Sequence, residues 1–318
     1  MPPIEAALVK RLAAQVGFHA CGIAEARSLP DYLDDLNYWL SHNYHGDMSY
    51  MQRNADKRSN PLQLLPQARS VISVLLAYKT PPLPSGVPKI ARFACLPDYH
   101  DEVKQRLFRL SYLLKEHYPE IKGRPFCDTA PHSDKLWAQQ AGLGWIGRNS
   151  LLVNPTYGTF HNIGSLVIDH PADHYDTPIA NRCDHCHRCQ EACPNKALAT
   201  SPNGHPCLIA TRCNAYHTIE SHAESLPEDI HLRGYVYGCD ICQDACPYNA
   251  AAPLSAKLPE DIAEKIKLLV DADEETFIHL TRNTPLQRIS YSQWRRNLAH
   301  LNRQPYKPST PPLPSSSE

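Results

Sequence analysis

The spacing of the cysteines constrains this chain more than any other feature of its sequence. Nine of its 12 cysteines lie between positions 183 and 246. The run C-x2-C-x2-C-x3-C-P at 183–194 has the spacing with which bacterial electron carriers bind 4Fe-4S clusters. In that pattern three thiolates hold one cluster and the fourth, before proline, holds another. The run C-x2-C-x3-C-P at 239–247 repeats the end of the pattern, so we predict a site for two 4Fe-4S clusters.

One ligand of these clusters lies outside both runs. With four thiolates for each cluster, the two runs provide one cysteine too few, and Cys207 and Cys213 are the other cysteines between them. We expect Cys213, because the segment after Arg212 resembles the start of a helix, whereas Cys207 follows a predicted turn. The predicted ligands of the first cluster are Cys183, Cys186, Cys189 and Cys246. Those of the second are Cys193, Cys213, Cys239 and Cys242.

Structural zinc is the alternative interpretation of these runs, since zinc also binds C-x2-C pairs. The two Cys-Pro endings and the successive x2 spacings favour the clusters. His185 and His187 alternate with the first cysteines and are expected to point away from the cluster. The remaining cysteines are interpreted as buried small residues or inert thiols: Cys21, Cys95, Cys127 and Cys207.

The composition is that of an ordinary globular protein. Hydrophobic residues make up 42% and charged residues 20% of the chain, which excludes wholesale disorder. The 32 Lys and Arg nearly balance the 33 Asp and Glu, so the net charge of -1 does not indicate a nucleic-acid or membrane binder. The longest apolar stretch is too short to span a membrane, and residues 1–12 resemble an amphipathic helix instead of a secretory signal. We therefore expect a cytoplasmic protein.

Periodicity predicts an α+β fold with a separate cluster-binding segment. We predict a buried strand within 66–78, an amphipathic helix over 100–117, and a hairpin of 151–154 with 159–169. The predicted units are an α+β catalytic domain at 1–170, a ferredoxin-like domain at 171–255, a C-terminal helical segment packing on the body at 256–305, and a disordered tail at 306–318.

A glycine motif at 142–147 satisfies the pattern G-x-G-x-x-G. A dinucleotide site requires this motif between a strand and a following helix. Here the order is reversed, because a helix is predicted at 133–141 and an extended segment at 151–153. We interpret Gly142 as a residue that ends the helix.

Several motifs together resemble the epoxyqueuosine reductase family. They are Asp128-Thr-Ala-Pro131, the helix ending at 141–149, the two cysteine runs, Tyr237-Gly-Cys-Asp240 and Asp98-Tyr-His100. The resemblance spans nearly the whole chain and is specific through the order and spacing of the motifs. It implies a short form without the C-terminal helical repeats of longer members.

The resemblance implies reduction of the epoxide of epoxyqueuosine, at the wobble position of a tRNA anticodon, to the alkene of queuosine. It implies cobalamin as a second cofactor and Asp128 as the proton donor. Such a carboxylic acid needs a raised pKa to donate near neutral pH. Without the resemblance, Asp128 would be interpreted as a turn residue. The implied cobalamin contacts are Arg58, Asp128, Leu152, Ile163, Ala215 and Asp240.

The expected partners follow from the same resemblance. The tRNA is expected to contact a local basic patch formed by Arg288, Arg295, Arg296 and Arg303. An external low-potential carrier such as a flavodoxin or ferredoxin is expected to supply the electrons, and we expect a monomer without membrane contact. The alternatives are a corrinoid reductase similar to reductive dehalogenases, or a corrinoid or electron-transfer protein without catalysis.

Overall fold

Helices and strands alternate along the chain in the computed structural model, which describes residues 2–303. The α-helices are α1 Ala6–Gln15, α2 Pro30–Ser41, α3 Ala55–Arg58, α4 Tyr99–His117, α5 Asp134–Gln140, α6 Arg188–Ala192, α7 Ile241–Asp244, α8 Pro247–Ala251, α9 Ile262–Asp271, α10 Glu274–Thr281 and α11 Tyr291–Arg303. The strands are β1 Ala20–Glu25, β2 Ser70–Ala77, β3 Lys89–Ile90, β4 Gly123–Phe126, β5 Trp145–Ile146, β6 Leu152–Val153, β7 His161–Ile168, β8 Leu198–Thr200, β9 Pro206–Leu208 and β10 Tyr235–Tyr237. The mixture confirms the predicted α+β class. The predicted tail at 306–318 lies outside the described residues.

A four-stranded antiparallel sheet with the order β1-β2-β7-β4 organises the N-terminal half. The strand β2 is buried along its whole length, because both faces of the sheet are covered by helices. On one face, Ile72 and Val74 pack with Leu107 of α4 and with α1. On the other face, Val71 packs with Trp137 of α5. The predicted buried strand and the helix predicted over 100–117 are both confirmed.

The predicted hairpin of 151–154 with 159–169 is wrong. The strand β6 pairs with β5, and β7 lies in the centre of the main sheet between β2 and β4. A single bridge joins Asn154 and Gly158, closed by two backbone hydrogen bonds of 2.8 and 3.0 Å. The Asn154 side chain also accepts from the amides of Thr156 and Tyr157. The turn therefore forms as predicted, but its two flanks separate to different partners.

The glycine motif at 142–147 follows helix α5, and Gly142 has a φ of +69° that ends this helix. A Cβ atom at Gly144 would lie 2.2 Å from the carbonyl oxygen of Val153. The glycines therefore serve the close packing of β5 on β6, with α5 before them as the sequence predicts.

The segment with the cysteine runs folds into short elements that bring the two runs together. Helices α6 and α7, one in each run, contact each other. Cys207 lies in strand β9, which pairs with β8, and it follows a turn as predicted. The turn lies just before it, around Gly204 with a φ of +81°. Cys213 follows a single 3-10 turn, Ala210–Arg212, and directly precedes a helical segment at 214–220, whose first turn is closed by a hydrogen bond of 3.1 Å from the His217 amide to the Cys213 carbonyl oxygen, so the predicted start of a helix is confirmed.

The C-terminal helices form a second core. Trp294 of α11 is fully buried, packs against Phe277 of α10, and donates a hydrogen bond of 2.8 Å to the carbonyl oxygen of Leu269. This core also contains Val236 of β10 and Ile90 of β3, two strands that pair in parallel. The helical segment is thereby joined to both preceding parts of the chain. Among residues 2–303, no helix combines the length and apolar character that crossing a bilayer requires.

Candidate iron-sulfur and acid-lined sites

The first group of predicted ligands surrounds a small cavity. Its lining residues include Cys183, Cys186, Cys189 and Cys246. The indole nitrogen of Trp145 donates to Cys183 Sγ at 3.4 Å. Burial, together with negative charge on the three neighbouring thiols, raises the pKa of the Cys189 thiol to about 11. The structure thus brings together the four cysteines that were predicted from two separate runs.

The second group of predicted ligands lies in surroundings that strongly disfavour negative charge on sulfur. Burial raises the pKa of the Cys242 thiol well above its ordinary range, and negative charge on Cys239, Cys213 and Cys193 adds to this effect. The amide of Ala197 donates to Cys193 Sγ at 3.3 Å. These four cysteines are therefore neighbours, and Cys213 lies among them while Cys207 does not interact with them.

The chemistry of both groups fits iron-sulfur clusters. Thiolates are the ligands of iron, and raised pKa values mean that bare thiolates are unfavourable there until a metal neutralises them. N–H donors to the sulfurs, such as those of Trp145 and Ala197, are the contacts that stabilise and tune a cluster. Within residues 2–303, no three His, Cys, Asp or Glu side chains converge to hold a single metal ion. In a 4Fe-4S cluster, by contrast, each of the four thiolates binds a different iron.

A second, larger cavity of about 770 Å³ opens elsewhere in the molecule. It lies between the loops that follow α2 and β4, the start of α4, and the segment before α11. Its polar lining includes Tyr50, Arg53, Arg58, Asp98, Tyr99, His100, Asp128, Glu220, Gln287 and Arg288. Tyr237 also lines it, two residues before Cys239. The cavity therefore reaches the chain segment that carries the second cysteine group.

Asp128 stands in this cavity on a strained backbone with a φ of +59°. Its amide donates to Asp134 Oδ2 at 2.9 Å, which holds the turn. Its Oδ2 accepts a hydrogen bond of 2.7 Å from the Tyr99 hydroxyl and lies 3.3 Å from His100 Nε2. The second ring nitrogen of His100 lies 2.7 Å from Asp98 Oδ1. A tyrosine and a histidine therefore converge on one carboxyl oxygen.

These contacts set the charge of Asp128. Partial loss of water in the cavity raises its pKa, but the bonds from His100 and Tyr99 lower it more, and the net pKa is lowered. The expectation of a raised pKa for Asp128 is thus not met by these surroundings. Burial lowers the pKa of His100, whereas Asp128 and Asp98 raise it more, and the net pKa is raised. Burial and the Asp128 carboxylate raise the pKa of Tyr99, which therefore remains a donor.

Asp134 is the carboxyl with the strongly raised pKa. Burial raises it from 3.8 to about 7, helped by negative charge on Asp128 and opposed by the bond from the Asp128 amide. Asp134, Tyr99 and His100 were not among the predicted site residues. Tyr99 and His100 lie in the Asp98-Tyr-His100 motif, so their place in a recurring motif was a usable signal. Asp134 has no comparable signal, because only folding buries it.

The other predicted cobalamin contacts are placed differently. Arg58 is buried in the wall of the cavity, donates to the Tyr50 carbonyl oxygen at 3.0 Å, and its Nε has no hydrogen-bond partner among residues 2–303. Leu152 belongs to a small buried core, and the partly buried Ile163 packs against the same core. Ala215 lies two residues after Cys213. None of the last three is among the cavity's lining residues.

Asp240 also lies outside the lining of the cavity. Its Oδ2 is 3.2 Å from Arg92 Nη1 and accepts from the Arg92 amide at 2.8 Å, while its Oδ1 accepts from Gln243. Burial raises the pKa of Asp240 to about 6, against the opposing effect of Arg92. This ion pair joins the 3-10 helix Arg92–Cys95 to the second cysteine run.

The predicted basic patch near the C-terminus is only partly a surface. Arg296 is buried, and its guanidinium donates to the carbonyl oxygens of Ser221, Ala223 and His217. The prediction that Arg296 contacts phosphate is therefore wrong, because these carbonyl oxygens already accept its hydrogen bonds inside the protein. Arg288 is half exposed in the cavity and forms a bidentate pair with Glu220 at 2.8 and 2.9 Å. Arg295 and Arg303 lie exposed on α11.

Two groups of four cysteines, together with an open, acid-lined cavity, define the class of iron-sulfur oxidoreductases. Residues 182–249 match the family model of the 4Fe-4S double cluster binding domain. Residues 58–129, from Arg58 to the residue after Asp128, match the model described as epoxyqueuosine reductase QueG, DUF1730.

Relatives of known name cover nearly the whole chain. An epoxyqueuosine reductase of Leadbetterella byssophila is 37% identical over 299 residues, which cover 92% of this chain and 97% of that protein. One of Synechococcus sp. strain CC9605 is 38% identical and covers 92% of both. The solved epoxyqueuosine reductase of Streptococcus thermophilus superposes with a TM-score of 0.81 at 25% identity, over 92% of this chain and 80% of the other. A crystal structure of an epoxyqueuosine reductase with a tRNA-Tyr epoxyqueuosine-modified stem loop has a TM-score of 0.77, with the same identity and coverage. The chain belongs to the epoxyqueuosine reductase family.

Proposed function

We propose that this chain reduces epoxyqueuosine in a tRNA anticodon to queuosine, in the cavity that contains Asp128. The reaction consumes two electrons and two protons, breaks both carbon-oxygen bonds of the epoxide, and yields an alkene and water. The observation that carries the proposal is the convergence of Tyr99 and His100 on the Asp128 carboxyl in a cavity of about 770 Å³. This is the arrangement that transfer of a proton to the departing oxygen requires.

The cavity can take in part of a large organic cofactor such as cobalamin. Its volume of about 770 Å³ is large for a ligand pocket, and Arg58 Nε in its wall needs a partner. We propose Arg58 and Asp128, which line the cavity, as direct contacts. Contacts of the cofactor with Leu152, Ile163, Ala215 and Asp240 remain predictions from the family resemblance, because these residues lie outside the lining. When bound, cobalamin supplies a cobalt centre for electron transfer that no side chain provides.

The proton is held and replaced by three neighbouring side chains. Because its pKa is lowered, Asp128 is charged, and it must receive a proton before it can donate one. His100 has a raised pKa and lies 3.3 Å from Asp128 Oδ2, so a protonated His100 can supply that proton. Asp98, 2.7 Å from the other ring nitrogen, stabilises the charged ring. Substrate and cofactor in the cavity exclude water, which further favours the protonated acid.

We propose that two 4Fe-4S clusters would supply single electrons to the cavity in sequence. Cys183, Cys186, Cys189 and Cys246 would hold the first, and Cys193, Cys213, Cys239 and Cys242 would hold the second, nearer the cavity. The proximity of Tyr237 in the cavity wall to Cys239 supports this order.

The tRNA substrate is proposed to enter with its modified base turned out of the anticodon stack. Arg53 and Arg288 line the cavity and can contact phosphates at its rim. Arg295 on the exposed face of α11 is proposed to extend this contact.

Replacement of the acid tests the proposal. Asp128→Asn retains the shape of the side chain but removes the transferable proton, so we expect epoxide reduction to fall by roughly 100-fold or more. The variant should retain about eight irons and one cobalt per chain after anaerobic loading, measured by elemental analysis. Asp101→Asn, an exposed change on α4, is the control and should react at the normal rate. Normal turnover by Asp128→Asn with both metals bound would contradict the proposal.

A further inference from the structure

The loop that carries the first three cysteines lies at the surface. Cys183 and Cys186 are partly exposed, and the residues between and beside them, including Arg182, Asp184 and Arg188, are exposed. Cys239 and Cys242 of the second group are also partly exposed, but the residues beside them, Gly238, Asp240 and Gln243, are buried. The first group is therefore the one that an external protein can approach.

The surface around this loop carries an excess of positive charge. Within 182–196 the basic residues are Arg182, Arg188 and Lys196 and the acidic residues are Asp184 and Glu191. Arg148 joins the same surface, because its Nη2 donates to the Asp184 carbonyl oxygen at 2.8 Å and it lines the first cysteine cavity together with Arg182. In a chain with a net charge of -1, this concentration of arginine is local.

A short path of contacts leads from this surface to a cysteine. The guanidinium of Arg182 lies over the ring of Trp145, 5.8 Å from the ring centre. Trp145 is fully buried and its indole nitrogen donates to Cys183 Sγ at 3.4 Å. A partner seated on Arg182 would therefore be separated from a cluster ligand by one side chain.

We propose that the surface formed by Arg148, Arg182 and Arg188 around the first cysteine cavity, here named the arginine rim, docks an acidic protein that carries single electrons. This inference rests on the proposed function for the direction of electron flow. In each encounter the carrier is oxidised by one electron and the first cluster is reduced by one electron, and no bond is made or broken. Positive charge around the entry point steers a partner with carboxylates around its own redox centre.

The tRNA is the competing occupant of a basic surface. The arginine rim surrounds the cysteine cavity, which has no lining residue in common with the cavity that contains Asp128. The basic residues Arg53, Arg58 and Arg288 already line the latter. The position of the rim at the cluster ligands therefore favours the electron carrier.

The test reverses the charge of the rim in the cluster-loaded protein. We expect Arg182→Glu with Arg188→Glu to slow reduction of the first cluster by reduced flavodoxin at least ~10-fold at low salt, measured by stopped-flow absorbance. The difference should vanish at high salt, where charges are screened. The control is Arg109→Glu with Lys115→Glu on the outer face of α4, which should leave the rate and its salt dependence unchanged.

Further measurements separate this proposal from its rivals. Redox titration of the clusters identifies any change in their potential, which would slow reduction at all salt concentrations alike. Equal rates and equal salt dependence in the rim variant and the original protein would overturn the proposal. So would an unchanged flavodoxin rate with weakened tRNA binding, which would assign the rim to tRNA. Because cluster reduction is measured without tRNA or cobalamin, its outcome does not depend on epoxide reduction.

Discussion

The hydrogen bond from Tyr99 to Asp128 gives the sharpest prediction about the acid. Tyr99→Phe removes a bond of 2.7 Å that stabilises the charged carboxylate, so the pKa of Asp128 should rise. Bonds to charged groups contribute about 1.5–3 kcal/mol, and the Asp128 side chain is 64% exposed, which places this bond at the lower end. At 1.36 kcal/mol per pKa unit, this corresponds to a rise of about one unit.

The assay is single-turnover epoxide reduction by the cofactor-loaded enzyme over a series of pH values. A proton donor is active when protonated, so the rate falls as pH rises through its pKa. In Tyr99→Phe this alkaline fall should move upward by about one pH unit. Tyr50→Phe is the control, because Tyr50 lines the same cavity but donates to Glu220 instead. An alkaline fall that is unmoved, or moved to lower pH, in Tyr99→Phe would refute the role assigned to Asp128.

Two further predictions concern stability. Arg92→Leu leaves Asp240 buried without its cation and should destabilise the protein by about 3 kcal/mol, which is measured as a lower Tm. The exposed control Arg109→Leu should change the Tm little. An equal Tm for Arg92→Leu and the original protein would contradict this prediction. The raised pKa of Asp134, about 7 against 3.8, means that the folded protein binds its proton more tightly than the unfolded chain does. Stability from this proton is complete below pH 4 and is lost as pH rises to about 7, by roughly 4 kcal/mol. The free energy of unfolding, measured with denaturant, should therefore fall less steeply with rising pH in Asp134→Asn than in the original protein. Identical slopes would contradict the assignment.

Features that depend on local pattern were predictable from the sequence. The continuous apolar run of β2 indicates a strand buried on both faces, and the spacing of Val103, Leu107, Leu110 and Leu114 indicates one buried face of α4. The cysteine spacing predicted two groups of four, and the structure brings the same sets together. Here the chemistry of the ligands limits the possible arrangements enough for one sequence to suffice.

Features that depend on distant partners were not predictable. The hairpin at 151–169 is wrong because β7 pairs with β2 and β4 instead of with its neighbour in the chain. The surface assignment of Arg296 is wrong because its carbonyl partners lie more than 70 residues earlier. The contact of His100 with Asp128 joins α4 to a loop 28 residues away. A single sequence does not state which long-range contacts form.

Conversion of the substrate itself tests the central claim most directly. The chain, loaded anaerobically with iron, sulfide and cobalamin, is supplied with reduced flavodoxin and epoxyqueuosine-modified tRNA, and the nucleosides are then analysed by mass spectrometry. We predict that epoxyqueuosine disappears and that a nucleoside lighter by one oxygen atom, queuosine, appears in equal amount. Unchanged epoxyqueuosine after incubation with the fully loaded, reduced protein would contradict the account.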